Sequence, residues 1–268
     1  MTIEKINGLI AAPFTPMENT GKINPMIIPN YSEFLKKTGV KGVFICGTTG
    51  EGLSLSIEER FIIANEWIKQ KSTEFKVIIH VGTTSLEQSK KLANHAQKIG
   101  ADAISTMAPM FLKPTNTSDL VEFCKEISME ADKTPFYYYN IPSITGVEFS
   151  MVDYINLASK KIPNFHGMKF THDNFMEMQS CINLNNNKLN ILHGLDEVLL
   201  AGLSFGVTGA VGSTYNFLGK LYNSLIENFK NGKIKAARKK QLVSVKIIET
   251  IIKPNILLNS SHNDFKSF

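Results

Sequence analysis

The sequence predicts an α/β fold, a closed (β/α)8 barrel, and three observations carry the prediction. Short β-branched or aromatic runs alternate with longer stretches of helical period. Eight such runs fit the 268 residues without a long insertion or linker, the length usual for one barrel domain. Unusual polar residues then collect just after the ends of these runs, where a barrel carries its chemistry. The runs fall at 9–14, 42–46, 76–81, 103–108, 136–141, 166–170, 189–193 and 209–212, each closed by glycine, proline or a small polar residue. Between them, Ser56 with Glu59 and Ser85 with Gln88 are spaced as capping boxes, and Gly100 follows the apolar face that ends at Ile99. An open doubly wound sheet would show a glycine fingerprint after its first strand, and Ala11-Ala12-Pro13-Phe14-Thr15-Pro16 is not one. The pattern is that of a TIM barrel.

Composition excludes several classes of function. The chain is 43% apolar and 20% charged, and its net charge of +5 comes from lysines scattered among acids. No basic block or aromatic interleaving suggests a nucleic-acid groove, and no run of eighteen apolar residues suggests a membrane span. The start, Met1-Thr2-Ile3-Glu4-Lys5, lacks an apolar leader, so a soluble, cytoplasmic protein is expected. Cys46, Cys124 and Cys181 lie far apart without metal-ligand spacing and read as buried, reduced thiols. Asn116-Thr117-Ser118 and Asn259-Ser260-Ser261 are read as chance matches to glycosylation sequons.

Lys169 ends the apolar run Phe165-His166-Gly167-Met168-Lys169-Phe170. One reading is a nucleophile toward a carbonyl; the other is a lysine snorkelling out of the sheet. An ordinary lysine amine is uncharged in only about one molecule in 2,500 at pH 7, so the first reading needs the burial that a barrel end supplies. In Gly47-Thr48-Thr49-Gly50-Glu51, glycines bracket two hydroxyls that suit a small anion such as a carboxylate, or simply form a tight turn before a helix. Tyr139 shares strand parity with Tyr137 and is either a proton donor and acceptor or a core aromatic with a satisfied hydroxyl. Thr171 shares the face of Lys169, while Gly194, Asp196 and Glu197 follow the seventh run and Ser213 the eighth. Asp196 and Glu197 either cap the next helix or accept hydrogen bonds from sugar hydroxyls. His166 and His193 lie inside strands and read as satisfied core histidines, and no neighbouring histidine marks a metal site.

Together these residues resemble the pyruvate-dependent class I aldolases that include N-acetylneuraminate lyase and dihydrodipicolinate synthase, and above all the animal-type N-acetylneuraminate lyase branch. The resemblance runs from about residue 7 to 253. It is carried by Gly47-Thr48-Thr49-Gly50-Glu51-Gly52-Leu53-Ser54-Leu55-Ser56, by Tyr137-Tyr138-Tyr139-Asn140-Ile141-Pro142-Ser143-Ile144-Thr145-Gly146-Val147, by Gly167-Met168-Lys169-Phe170 and by Gly209-Ala210-Val211-Gly212-Ser213-Thr214-Tyr215-Asn216. It implies that Lys169 forms a Schiff base, that Tyr139 shuttles protons, and that Thr48 and Thr49 hold the pyruvyl carboxylate. Thr171, Gly194, Asp196, Glu197 and Ser213 would face the sugar chain. The implied reaction is reversible cleavage of N-acetylneuraminate to N-acetylmannosamine and pyruvate by a homotetramer, with no metal or organic cofactor. In dihydrodipicolinate synthases the segment Asn-x-Pro-Ser is followed by an arginine that grips a substrate carboxylate. Here Asn140-Ile141-Pro142-Ser143 is followed by Ile144, which cannot pair with an acid, so the lyase branch is favoured.

Two departures bear on function. After Ala108-Pro109, where many relatives carry a tyrosine, the chain reads Met110-Phe111-Leu112. After Lys253 it diverges from the relatives, so residues 1–253 are expected to form the catalytic domain and 254–268 a poorly ordered tail, with the usual C-terminal helical extension shortened or missing. The helix expected over 234–252 carries Leu242, Val243, Val245, Ile247, Ile248, Ile251 and Ile252, too wide an apolar surface for one face, which predicts altered assembly or reduced solubility. A catalytically weak barrel that keeps its binding residues, or an aldolase acting on another 2-keto-3-deoxy sugar acid, is the alternative.

Overall fold

Eight parallel strands close into a barrel in chain order: β1 (Gly8–Ala11), β2 (Gly42–Ile45), β3 (Lys76–His80), β4 (Ala103–Met107), β5 (Phe136–Asn140), β6 (Phe165–Phe170), β7 (Asn190–His193) and β8 (Gly209–Gly212), with β8 pairing back to β1. The computed structural model describes residues 5–184 and 188–261, with side chains described through 252. Ten α-helices follow among these residues: α1 (Ile28–Lys37), α2 (Ile57–Ile68), α3 (Leu86–Lys98), α4 (Thr117–Met129), α5 (Pro142–Thr145), α6 (Met151–Lys161), α7 (Phe175–Asn183), α8 (Leu199–Ser204), α9 (Tyr215–Lys230) and α10 (Ile234–Ser261). All eight strands lie where the periodicity puts them, and the barrel is the expected TIM barrel. The first five end earlier than their apolar runs. Pro13 has no N–H for a ladder, and Cys46 leaves β2 at φ 55°, outside the extended region.

The strands hold two apolar layers. Outward-facing residues such as Val43, Val77, Ile104 and Met168 join Trp67, Leu92, Ile127 and Tyr154 in the core between sheet and helices. Inward-facing Ile10, Phe44, Ile78, Tyr137, Tyr139, Leu192 and Val211 fill the barrel itself. At the end nearest the strand starts, Asn190 Oδ1 accepts from Ile6 N at 2.9 Å and from the Tyr137 hydroxyl at 3.0 Å, giving the buried polar groups partners.

Helix starts follow local chemistry. Ser56 and Glu59 form both halves of the capping box of α2. Ser85 caps α3 through Gln88 N, but its own N–H is taken by Thr83 Oγ1, so the reciprocal half is missing. Gly100 adopts φ 82°, the left-handed stop that Ile99 leads into. Asn116 caps α4. The three cysteines are free and buried, as expected.

α10 packs on α9 and runs past Pro254 to Ser261, so 254–261 continue that helix, while 262–268 lie outside the described residues. Leu242, Val243, Ile251 and Ile252 are exposed along it. Among the described residues no helix is long and apolar enough to cross a membrane.

His166 meets the expectation of a satisfied strand histidine, its Nδ1 lying 2.9 Å from the Asn164 carbonyl. His193 departs from it. It is fully buried against Phe175, and among the described residues neither ring nitrogen makes a well-formed hydrogen bond, with the backbone at Leu195 and Val198 near it. Burial keeps this ring neutral and pushes its pKa down to about 4. The unfolded chain takes up that proton below about 6.5, so the contribution to stability is complete above that pH and is lost as pH falls toward 4. Urea midpoints should therefore drop below pH 6.5, and His193→Leu should remove up to about 1.4 kcal/mol per pH unit of the slope. An identical slope in the variant would contradict this.

Candidate active site

The barrel register makes Tyr139 on β5 and Lys169 on β6 direct neighbours. Both point into the barrel near its C-terminal mouth and are buried, Lys169 at 5% and Tyr139 at 2% exposure. The Lys169 amine lies 3.9 Å from the centre of the Tyr139 ring and 4.7 Å from that of Phe44. Among the described residues no carboxylate pairs with it. Snorkelling is excluded, because the side chain goes inward.

The turn after β2 brings two hydroxyls to the same mouth. Thr48 Oγ1 is 3.4 Å from the Tyr139 hydroxyl, and Thr49 Oγ1 is 2.7 Å from Ser213 Oγ, which follows β8 on the other side of β1. The turn is strained at both ends, with Cys46 at φ 55° and Glu51 at φ 53°. Thr171 follows β6 with its hydroxyl buried and without a partner among the described residues. Gly194 follows β7 so closely that a Cβ there would lie 1.9 Å from Thr171 Oγ1, and only glycine permits that approach.

Asp196 and Glu197 part company. Asp196 caps no helix: its Oδ2 accepts from Thr214 N at 2.7 Å and Thr214 Oγ1 at 2.6 Å, tying the loop after β7 to the loop after β8. Gln241 on α10 donates to the Asp196 carbonyl at 3.0 Å. Glu197 is exposed and lines a groove with Arg238 and Gln241 beside α8 and α10; partial burial raises its pKa, with the charge of Asp196 adding to the effect. The structure thus brings Thr48, Tyr139 and Lys169 together, pairs Thr49 with Ser213 and Thr171 with Gly194, and leaves Glu197 outside these contacts.

Several contributors escape sequence reasoning. Phe44 forms the second wall beside the amine, and its inward parity on β2 was the available signal. Asn216 donates to Ala12 O at 2.6 Å and Ser213 O at 2.7 Å and accepts from Tyr31, closing β8 onto β1 at the mouth. His80 and Cys46, with Thr48 and Met107, line a cavity of about 190 Å3 at this end. A larger cavity, about 460 Å3, opens at the opposite end among Lys41, Lys76, Asp102 and His166. Chemistry rather than size places the site: among the described residues a buried amine, a phenol and paired hydroxyls converge only at the C-terminal mouth.

The sequence profile of the Dihydrodipicolinate synthetase family matches residues 5–259. The chain belongs to that family. Within it, N-acetylneuraminate lyase of Sus scrofa is 43% identical over 253 residues, covering 93% of this chain and 79% of the pig protein. The structure of Proteus mirabilis N-acetylneuraminate lyase matches with a TM-score of 0.91 at 37% identity, over 93% of this chain and 84% of that one. A catalytic lysine mutant of the Ruminococcus gnavus sialic acid aldolase matches at 0.86 and 30% identity, over 90% and 78%. The family resemblance read from the four motifs is thereby confirmed.

The contact between Gly194 and Thr171 makes a direct prediction. Gly194→Ala should destabilise by about 1–3 kcal/mol through overpacking. Adding Thr171→Ala should recover part of that loss, because it deletes the clashing oxygen. Urea unfolding of both single variants and the double variant measures the coupling, and strict additivity would contradict the contact.

Proposed function

We propose that the protein is a class I aldolase that cleaves N-acetylneuraminate reversibly to N-acetylmannosamine and pyruvate. One observation carries the reading: a buried primary amine that has no carboxylate partner among the described residues, set against a phenol that is itself within reach of a threonine hydroxyl. Breaking a carbon–carbon bond beside a ketone requires an electron sink. Lys169 Nζ attacks C2 of the open-chain sugar acid, water leaves, and the protonated imine accepts the electron pair as C3–C4 breaks. The C4 hydroxyl gives up its proton as its carbon becomes the aldehyde of N-acetylmannosamine. Tyr139 is placed to move that proton, oriented by Thr48. The enamine left on Lys169 is protonated at C3, and hydrolysis of the imine releases pyruvate.

Thr48 and Thr49 serve the keto-acid carboxylate, Thr49 with Ser213 beside it. Thr171, Gly194, Asp196, Glu197 and Ser213 serve the sugar chain. Support comes from their common position at the strand ends and, for Gly194, from a backbone open to close approach. Asp196 already holds Thr214, so its first effect on substrate is to set the shape of the loop after β8. Ile144, half exposed, leaves the mouth without the arginine that a second acid would need.

The catalytic unit is residues 1–253, with 254–268 as an appended tail. The protein works in the cytoplasm on small-molecule substrates of carbohydrate metabolism, as a homotetramer. Exposed Phe111, Leu112, Leu242, Val243, Ile251 and Ile252 supply apolar surface for assembly. A monomer in sedimentation would contradict the tetramer.

Pyruvate release from N-acetylneuraminate, compared with N-glycolylneuraminate and simple 2-keto-3-deoxy acids, tests the reaction. Release from N-acetylneuraminate is expected, with activity lost in Lys169→Ala and kcat lowered about 10²–10⁴-fold in Tyr139→Phe. Release only from the simple acids would move the substrate class, and release from none would favour an inert barrel.

A further inference from the structure

His80 ends β3 at the mouth of the barrel and is 1% exposed. Its Nδ1 lies 3.1 Å from the Cys46 carbonyl. A carbonyl only accepts, so Nδ1 carries the hydrogen and Nε2 is left as an acceptor, with no partner among the described residues. The carbonyl in question belongs to a residue at φ 55°, a left-handed conformation that costs a cysteine roughly 1 kcal/mol or more and persists only where neighbours hold it. From the other side the carbonyl is met by Gly52, where a Cβ would lie 1.9 Å from the oxygen, and Gly52 N bonds back to Gly47 O at 3.1 Å. Between Cys46 and Gly52 runs the turn with Thr48 and Thr49.

The imidazole is itself fixed. Buried Arg60 of α2 donates to the carbonyls of His80 and Gly82, locking the end of β3. The ring packs edge-on against Tyr139, at 6.0 Å and 88°. Burial, then the charges of Arg60 and Lys169, hold its pKa well below the ordinary histidine value, so it stays neutral beside the amine.

We propose that His80 is a positioning residue for the keto-acid end of the site: by donating Nδ1–H to the Cys46 carbonyl, it fixes the strained turn that presents Thr48 and Thr49. What the turn holds rests on the aldolase reading above; how it is held does not. His80 touches no reacting atom and acts through Cys46. Because Nδ1 is the donor, asparagine, whose amide N–H occupies a similar place, can substitute for it, and leucine cannot.

Two measurements test this on the full chain. Histidine 15N NMR should show His80 neutral as the Nδ1–H tautomer; the Nε2–H tautomer would overturn the proposal. In steady-state condensation of pyruvate with N-acetylmannosamine, His80→Leu should raise KM for pyruvate about tenfold with little change in kcat, while His80→Asn stays within about threefold of the parent. Equal impairment of the two variants, or a pyruvate KM unmoved by leucine, would overturn it. If leucine prevents folding, the tautomer and the asparagine variant still decide. A parent chain that fails to turn over pyruvate would sink the aldolase reading, whereas the tautomer reports on the clamp without any activity.

Discussion

A primary amine held inside a barrel, with no acid beside it among the described residues, is the constraint around which this molecule is arranged. Burying an ammonium without a carboxylate is costly, and an evolved core would ordinarily place an apolar side chain at such a position. The pairing of Tyr139 with Lys169 and of Lys169 with Leu192 forces the side chain inward. What meets it there is aromatic, the faces of Tyr139 and Phe44, and a histidine that its surroundings keep neutral. The faces of these rings wall the nitrogen in on two sides and hold it at the barrel mouth, where a carbonyl can meet it. Carbonyl chemistry explains why such an arrangement exists.

The mouth is held by polar ties that join loops from different strands. Thr49 to Ser213 links the turn after β2 with the end of β8, Asp196 to Thr214 links β7 with β8, and Asn216 to Ala12 links β8 with β1. A short parallel strand gives its following loop little local support, so these long-range bonds position the groups that would meet substrate. In the proposed reading, binding and mouth geometry are therefore coupled in the same residues. Asp196 and Ser213 set the shape of the mouth through these bonds.

Periodicity made the barrel legible, because strands of period two and helices of period 3.6 leave distinct marks. The parity of Tyr139 with Tyr137 and the place of Lys169 at a strand end made the amine and phenol visible for the same reason. The box of Ser56 and Glu59 was readable because it closes within one turn, but that of Ser85 failed halfway, since Thr83 competes for the same N–H. Less visible were contacts made between strands distant in sequence: Phe44 beside the amine, His80 on the Cys46 carbonyl, Asp196 on Thr214. The left-handed Cys46 was beyond reach, because no residue type announces it. His193, buried without a well-formed hydrogen bond among the described residues, carries no local signal distinguishing it from the satisfied His166.

Covalent capture addresses the central claim most directly. Incubating the protein with pyruvate and borohydride, then digesting it and weighing the peptides, reads which nitrogen forms the imine. A reduced pyruvyl adduct on Lys169, and on no other lysine, is the predicted result. An unmodified Lys169 peptide, or an adduct distributed over surface lysines, would contradict the account.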